Sequence, residues 1–463
     1  MNKKEYIKVI IPIVKELLTK LNKKFYNSNF LIENKTGLDI IKQGKEEYIT
    51  EHIEITGGVF NIYNGKYFIE YAISDISKEN LNKTVNYILN NEPVFDMEFK
   101  VPEMEIGEKE YKVEQKIPLN SITLQEKIDK IREQCEEIEK IDDRIKNVIN
   151  VYKENFIYKV FIAKNNLLIQ DISRIDRMIQ IIVSNGKIVK YNYGGKSKMG
   201  GFEHSNLDKE LIDKTVEDAI KLLTASKLTP GVYDIVGSPE LAGLIAHEAF
   251  GHGMEMDMFL KARAKGVSYI GKDIASPLVT MYDSPMEPGE SGSFYFDDEG
   301  MPATKTMIIN KGKLIRGMTD INAAMRLNAE RSSNGRRESY KRKSYTRMTN
   351  TFFASGESNK DEMIKSIKDG VYLIKGGSGM EDPKNWGIQL ECLIGEEIKD
   401  GKLTGKIFSP IFVTGYVPDL LKSISMVGND LTIDGLGYCG KGYKEWVKVS
   451  SGGPHIKFRA RLG

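Results

Sequence analysis

Histidine is scarce in this chain, with five among 463 residues. Cysteine is scarcer, with three, and tryptophan scarcer still, with two. Cys135, Cys392 and Cys439 are odd in number and widely spread, which excludes a disulfide framework and points to a reducing cytoplasm. Neither sign of charge is in surplus: 67 Lys+Arg against 65 Asp+Glu leave a net +2. That balance argues against a dedicated nucleic-acid or polyanion binder. No apolar run is long enough to span a bilayer. Lys3-Lys4 could open a signal peptide, but Lys8 and Lys15-Glu16 interrupt the apolar stretch, and no small-residue cleavage site follows. The expectation is a cytoplasmic protein with neither membrane nor nucleic acid as a partner. The remaining composition, 40% hydrophobic and 29% charged, is that of a globular chain long enough for two or three domains.

Periodicity divides the chain. Ile7, Ile10, Ile11, Val14, Leu17, Leu18 and Leu21 recur at helical spacing over residues 4–24. Alternation predicts strands at 30–33, 52–63 and 67–73, and a helix at 78–90. Residues 98–118 read as a charged connector. A long helix follows over 119–141, with Ser121 as a candidate N-cap. Four or five short strands are expected over 145–193, with turns at 153–155, 164–166 and 185–187, and a helix over 206–225. Past Thr229-Pro230-Gly231 glycines and short β-rich segments become frequent, with hairpin turns at 310–313 and 399–402. The expected class is α+β. Residues 1–228 form a mixed helix and antiparallel-sheet domain, and residues 229–463 a β-rich domain that carries one chemically loaded helix.

That helix spans about 239–259 and contains His247-Glu248-Ala249-Phe250-Gly251-His252. Two imidazoles with a carboxylate beside them are the minimum kit for a zinc-activated water. The spacing is the difficulty. Five residues of a regular α-helix turn by about 500°, leaving the rings about 140° apart. Either a π-bulge brings residue i+5 under residue i, or the helix kinks at Gly251; Gly251 and Gly253 would ease both. A third ligand is also needed. Glu255 and Asp257 are candidates nearby; Cys392, Cys439 and His455 are candidates at a distance. Cys392 alternates as part of a strand and reads as a buried small hydrophobe. Cys439 lies in Gly435-Leu436-Gly437-Tyr438-Cys439-Gly440-Lys441-Gly442, an irregular and accessible setting. His455 and backbone N–H groups are candidates for oxyanion stabilisation.

Two other features invite over-reading. The basic run from Arg331 to Arg347, with Tyr340 and Tyr345 interleaved, suggests nucleic acid; given the balanced net charge, it reads as a solvated loop or a partner contact. Gly376-Gly377-Ser378-Gly379 has neither the Walker lysine nor dinucleotide-fold spacing and reads as a flexible turn.

The stretch from His247 to Asp257 resembles the signature of the TldD/PmbA peptidase family. Pro239-Glu240-Leu241-Ala242, Arg347-Met348-Thr349-Asn350-Thr351 and Gly437-Tyr438-Cys439-Gly440-Lys441 with Gly453-Pro454 agree with it. The likeness is specific from about residue 230 onward. It implies a zinc metallopeptidase acting on unfolded or short peptides, such as leader peptides or fragments. It further implies that His247, His252 and Cys439 hold Zn2+ and that Glu248 is the general base. Since all four are present, the chain looks like the catalytic, TldD-type subunit, working as a homodimer or as a heterodimer with a TldE/PmbA-like partner. The alternative is a non-catalytic regulatory or scaffold subunit of the same fold, partnering a catalytic homologue or a nucleic-acid enzyme.

Overall fold

The computed structural model describes residues 2–463 apart from Glu103 and Tyr443. Glu103, within the expected connector, lies outside the described residues. The chain is α+β. It opens with α1 (Lys3–Leu21), N-capped by Asn2, whose side chain accepts from the Glu5 N–H. The seven apolar residues read from its periodicity are all buried.

A seven-stranded sheet follows, built from β1 (Asn27–Gln43), β2 (Glu46–Tyr63), β3 (Phe68–Ile73), β4 (Gly107–Lys112), β5 (Ile145–Ala163), β6 (Asn166–Ser184) and β7 (Val189–Met199). The order is β3-β2-β1-β5-β6-β4, and β7 also pairs with β6. Every pairing is antiparallel except β4 with β6. Helices α2 (Lys78–Asn91), α3 (Leu124–Glu139) and α4 (Lys209–Lys221) cover it together with α1. Alternation decides what meets what. Phe30 and Ile32 join the core under α1 and α2, while Leu31 turns the other way to meet Phe161 and Phe296.

The strands are longer than expected. Residues 34–43 belong to β1 and 46–51 to β2, and 107–112 is a strand rather than connector. The expected turn at 153–155 lies inside β5. Its polar residues are satisfied in place: Lys153 pairs with Asp39 at 3.0 Å, and buried Glu154 with Lys127 at 2.6 Å. Turn-like composition therefore coexists with an unbroken ladder. The cap of α3 is Thr123, not Ser121: Thr123 and Glu126 form a reciprocal capping box.

Past residue 230 the pairing changes character. The strand β8 (Gly231–Gly237) runs parallel to Asp369–Asp382 and antiparallel to Ile456–Leu462. Ile456–Leu462 pairs with Ile411–Tyr416, that strand with Gly387–Lys399, and the last with Asp369–Asp382. Five strands thus close into a ring, with Ile235 and Leu373 in one core and their neighbours Val236 and Tyr372 in another. The Gly376–Gly379 segment is a bulged part of the Asp369–Asp382 strand, not a flexible turn. A six-stranded sheet containing Asn350–Phe353 and Ser450–Gly453 stands beside the ring, with α5 (Pro239–Leu244) packed against both. Among the described residues no helix is long and apolar enough to cross a membrane.

Candidate metal centre

Ser238 begins the decisive segment. Its side chain accepts from the Leu241 N–H, and Pro239 occupies the first turn of α5, where a missing N–H costs nothing. After one and a half turns the helix widens: residues Ile245–Gly251 are a π turn. The His252 N–H donates to the His247 carbonyl, so one i to i+5 bond joins the two histidines themselves. The extra residue in the spacing is absorbed, and the imidazole centroids stand 5.1 Å apart at 84°.

The glycines act differently from expectation. Gly251 has ordinary helical dihedrals, φ −58° and ψ −47°. What it supplies is space, since a Cβ there would lie 2.3 Å from Met348 Sδ.

Cys439 arrives from a hairpin, Tyr438–Lys441 paired with Lys444–Lys448. Its Sγ is 3.4 Å from His252 Nε2. The ligand atoms of His247, His252 and Cys439 lie within 4.8 Å of one another, so the three could hold one metal ion. Among the described residues no other cluster of three His, Cys, Asp or Glu does so. Glu248 stands between the rings, its carboxylate 3.9 Å from His247 Nε2 and 3.8 Å from His252 Nε2.

A charged scaffold holds this cluster. The Arg347 guanidinium donates to Cys439 Sγ at 2.9 Å and to Glu255 at 3.2 Å. Lys441 pairs with Glu255 at 3.0 Å and with Asp257 at 2.7 Å. Glu255 in turn lies 3.7 Å from His252 Nδ1 and so orients the ring from behind. Burial by itself raises the Cys439 thiol, but the imidazoles of His252 and His247 bring it well below its ordinary value. Burial opposes charge on His252, yet Cys439 and Glu255 raise it well above the usual imidazole value. The surroundings of the donors thus favour the thiolate of Cys439 over the thiol, and the thiolate is the form that ligates metal. His247 Nδ1 is buried without a partner among the described residues. Two imidazoles and a thiolate suit zinc.

Several expected roles fall elsewhere. Glu255 and Asp257 are engaged by Lys441 and Arg347 and stay out of the donor cluster. His455 is held by Asp430 at 2.5 Å and Tyr372 at 3.1 Å, also outside it. Cys392 is fully buried in its strand. The basic run is a solvated loop only in part: Lys341, Arg342 and Lys343 are exposed, whereas Arg336, Arg337 and Arg347 are buried and bonded to carbonyls and carboxylates. Arg347 is the contributor that charge counting missed, and only its place in the Arg347–Thr351 element signalled it. Glu381, also unforeseen, accepts from the Gly253 N–H at 3.1 Å. Burial pushes its carboxyl up to about 8 against the opposing charge of His252.

Residues 230–461 match the PmbA/TldA metallopeptidase C-terminal domain. A metalloprotease of Methanothermobacter thermautotrophicus is 32% identical over 62% of this chain, and the chain spans 63% of that relative's length. A metalloprotease TldD homologue of Buchnera aphidicola is 30% identical over 73% of this chain and 72% of its own. The fold is that of TldE from Thermococcus kodakarensis, with a TM-score of 0.77 and 15% identity over 97% of this chain and 100% of that one. On this footing the chain belongs to the TldD/PmbA family of metallopeptidases.

Proposed function

We propose that the chain is a zinc-dependent peptidase of the TldD type, with His247, His252 and Cys439 as ligands and Glu248 as general base. The observation that carries this reading is the π turn. It brings two imidazoles and a remote thiolate within one ion's reach and leaves the Glu248 carboxylate between them. Zinc held by three protein groups keeps a fourth position for water, acidifies that water and polarises a carbonyl.

The chain's own residues supply the rest. Glu248 takes the proton of the attacking water and returns it to the leaving amine. Arg347 holds the Cys439 sulfur as thiolate, and Glu255 fixes the His252 ring. The substrates in this reading are unfolded or short peptides, such as leader peptides and fragments. The active form is a homodimer or a heterodimer with a TldE/PmbA-like subunit in the cytoplasm. In this reading the chain divides into two domains near residue 228, a division supported by the absence, among the described residues, of a named sheet whose strands come from both sides of that point.

The test is zinc content together with peptide hydrolysis. The wild-type chain is expected to hold about one zinc and cleave a denatured peptide mixture. Glu248→Gln is expected to keep the metal and lose roughly 100-fold or more in kcat. Wild-type rates in that variant would remove Glu248 from the chemistry. A chain that takes up no zinc would be the non-catalytic subunit instead.

A further inference from the structure

We propose that the cavity between the first sheet and the Cys439 hairpin binds a carboxylate carried on an apolar or aromatic group, at a site separate from the metal centre. The cavity has a volume of about 290 Å³ and contains none of the three metal-donor residues. Three guanidinium groups line it: Arg337 is paired with Glu70, which leaves Arg174 from β6 and the buried Arg336 from the basic run.

Both guanidiniums are held in place by neutral partners. Arg174 donates through Nε to the Ser291 carbonyl at 2.7 Å and through Nη2 to that of Ser293 at 2.8 Å. Arg336 donates to the carbonyls of Lys448, at 2.7 Å, and Met348. Among the described residues neither forms an ion pair. The other cations around the cavity all have anions: Lys159 has Asp298, Lys448 has Asp176, Arg337 has Glu70 and Lys35 has Glu33. The two guanidiniums also act on each other, while Asp298 and Asp283 offset part of the charge of Arg336 and Asp176 part of that of Arg174. Burial, with Arg174 contributing, brings Arg336 down to about 10, and burial lowers Arg174 as well. Each remains a cation at neutral pH.

A buried guanidinium without an anion is costly, and an incoming carboxylate removes the cost. Arg174 Nη1 and Arg336 Nε have no partner among the described residues and remain available to donate. The forked geometry suits a planar carboxylate. The walls choose the rest of the ligand. Phe294 lies beneath the Arg336 guanidinium at 5.3 Å, and Phe296, Ile55 and Trp446 complete an apolar surround. Asp297, Asp298 and Glu338 also line the cavity, which disfavours a doubly charged anion such as phosphate.

Trp446 lines the cavity, whereas Trp386, the second tryptophan, is fully buried elsewhere. Intrinsic fluorescence of the full chain therefore reports occupancy. The probes are N-acetylphenylalanine, its amide and inorganic phosphate. The free acid is expected to bind, with the amide roughly tenfold or more weaker. Arg336→Gln should weaken the acid by a similar factor and leave the amide unchanged. Ile55→Glu tests the same point without touching either arginine, because Ile55 is about half exposed at the rim; it too should weaken the acid. Treatment with a chelator should leave binding intact, which separates this site from the proposed zinc chemistry. Equal affinity for acid and amide, tighter binding of phosphate, or an Ile55→Glu variant that binds like wild type would each overturn the proposal.

Discussion

Cys439 shows how much one side chain depends on its surroundings. Its sulfur meets two imidazoles and the Arg347 guanidinium, and all three favour the thiolate over the thiol. Cys439→Ala is therefore expected to lower bound zinc well below one per chain, read by elemental analysis after dialysis; full occupancy would exclude the sulfur as a ligand. A second buried group sets a pH dependence of its own. Burial, helped by Asp320 and Asp297, pushes the Glu299 carboxyl up to about 8 from an ordinary 4.5. Between those values the folded chain binds more protons than the unfolded one, so stability falls as pH rises through that window. Glu299→Gln keeps an acceptor for the Ile321 N–H and removes that dependence. Its melting temperature relative to wild type should rise from pH 5 to pH 8, and an offset that stays constant would contradict the assignment. At this scale the grouping of His247, His252 and Cys439 with Glu248 was an expectation from residue type and family resemblance, and the donor atoms of the first three do lie within 4.8 Å of one another. Arg347 was not expected there, because a charge run carries no mark of burial. It is internal only because Glu255, Cys439 and the Glu445 carbonyl surround it.

Among the elements, the π turn has the largest consequence. The five-residue spacing of His247 and His252 demanded either a widened turn or a kink, and the structure has the widened turn. Its tolerance rests on Gly251, whose missing Cβ leaves room for Met348 Sδ. Gly251→Ala should overpack this contact, cost about 1–3 kcal/mol and reduce zinc content by shifting His252. Met348→Ala in the same chain should restore part of both, measured by urea unfolding and metal analysis; no restoration would mean the glycine serves another purpose. Helix α1 was readable to within a few residues because its apolar face repeats without interruption. The long strands were not, because Lys153, Glu154 and Asn155 look like a turn until Asp39 and Lys127 supply their partners. The bulged Gly376–Gly379 segment misled for the opposite reason, since its glycines sit within a paired strand.

The whole molecule is held together by contacts between the first sheet and the segments beyond residue 230. Arg174 reaches the carbonyls of Ser291 and Ser293, Lys448 reaches Asp176, and Lys159 reaches Asp298. Gly300 is one place where backbone seats closely on the sheet: its φ is +77°, and a Cβ would lie 2.2 Å from the Phe161 ring. Gly300→Ala should cost about 1–3 kcal/mol, read as a lower unfolding midpoint, because both the dihedral and the seat on Phe161 are violated. An unchanged midpoint would show that this seat contributes little. The sequence by itself determined the α+β class, the apolar faces of the helices and the residue types able to hold a metal, because these follow from local periodicity and side-chain chemistry. Only the tertiary structure decided that Cys439, from a hairpin 187 residues further along, joins the two histidines. It alone also decided that Arg336, Arg337 and Arg347 are internal and that Arg174 and Arg336 share a cavity, because burial and counterions are set by what other parts of the chain bring near.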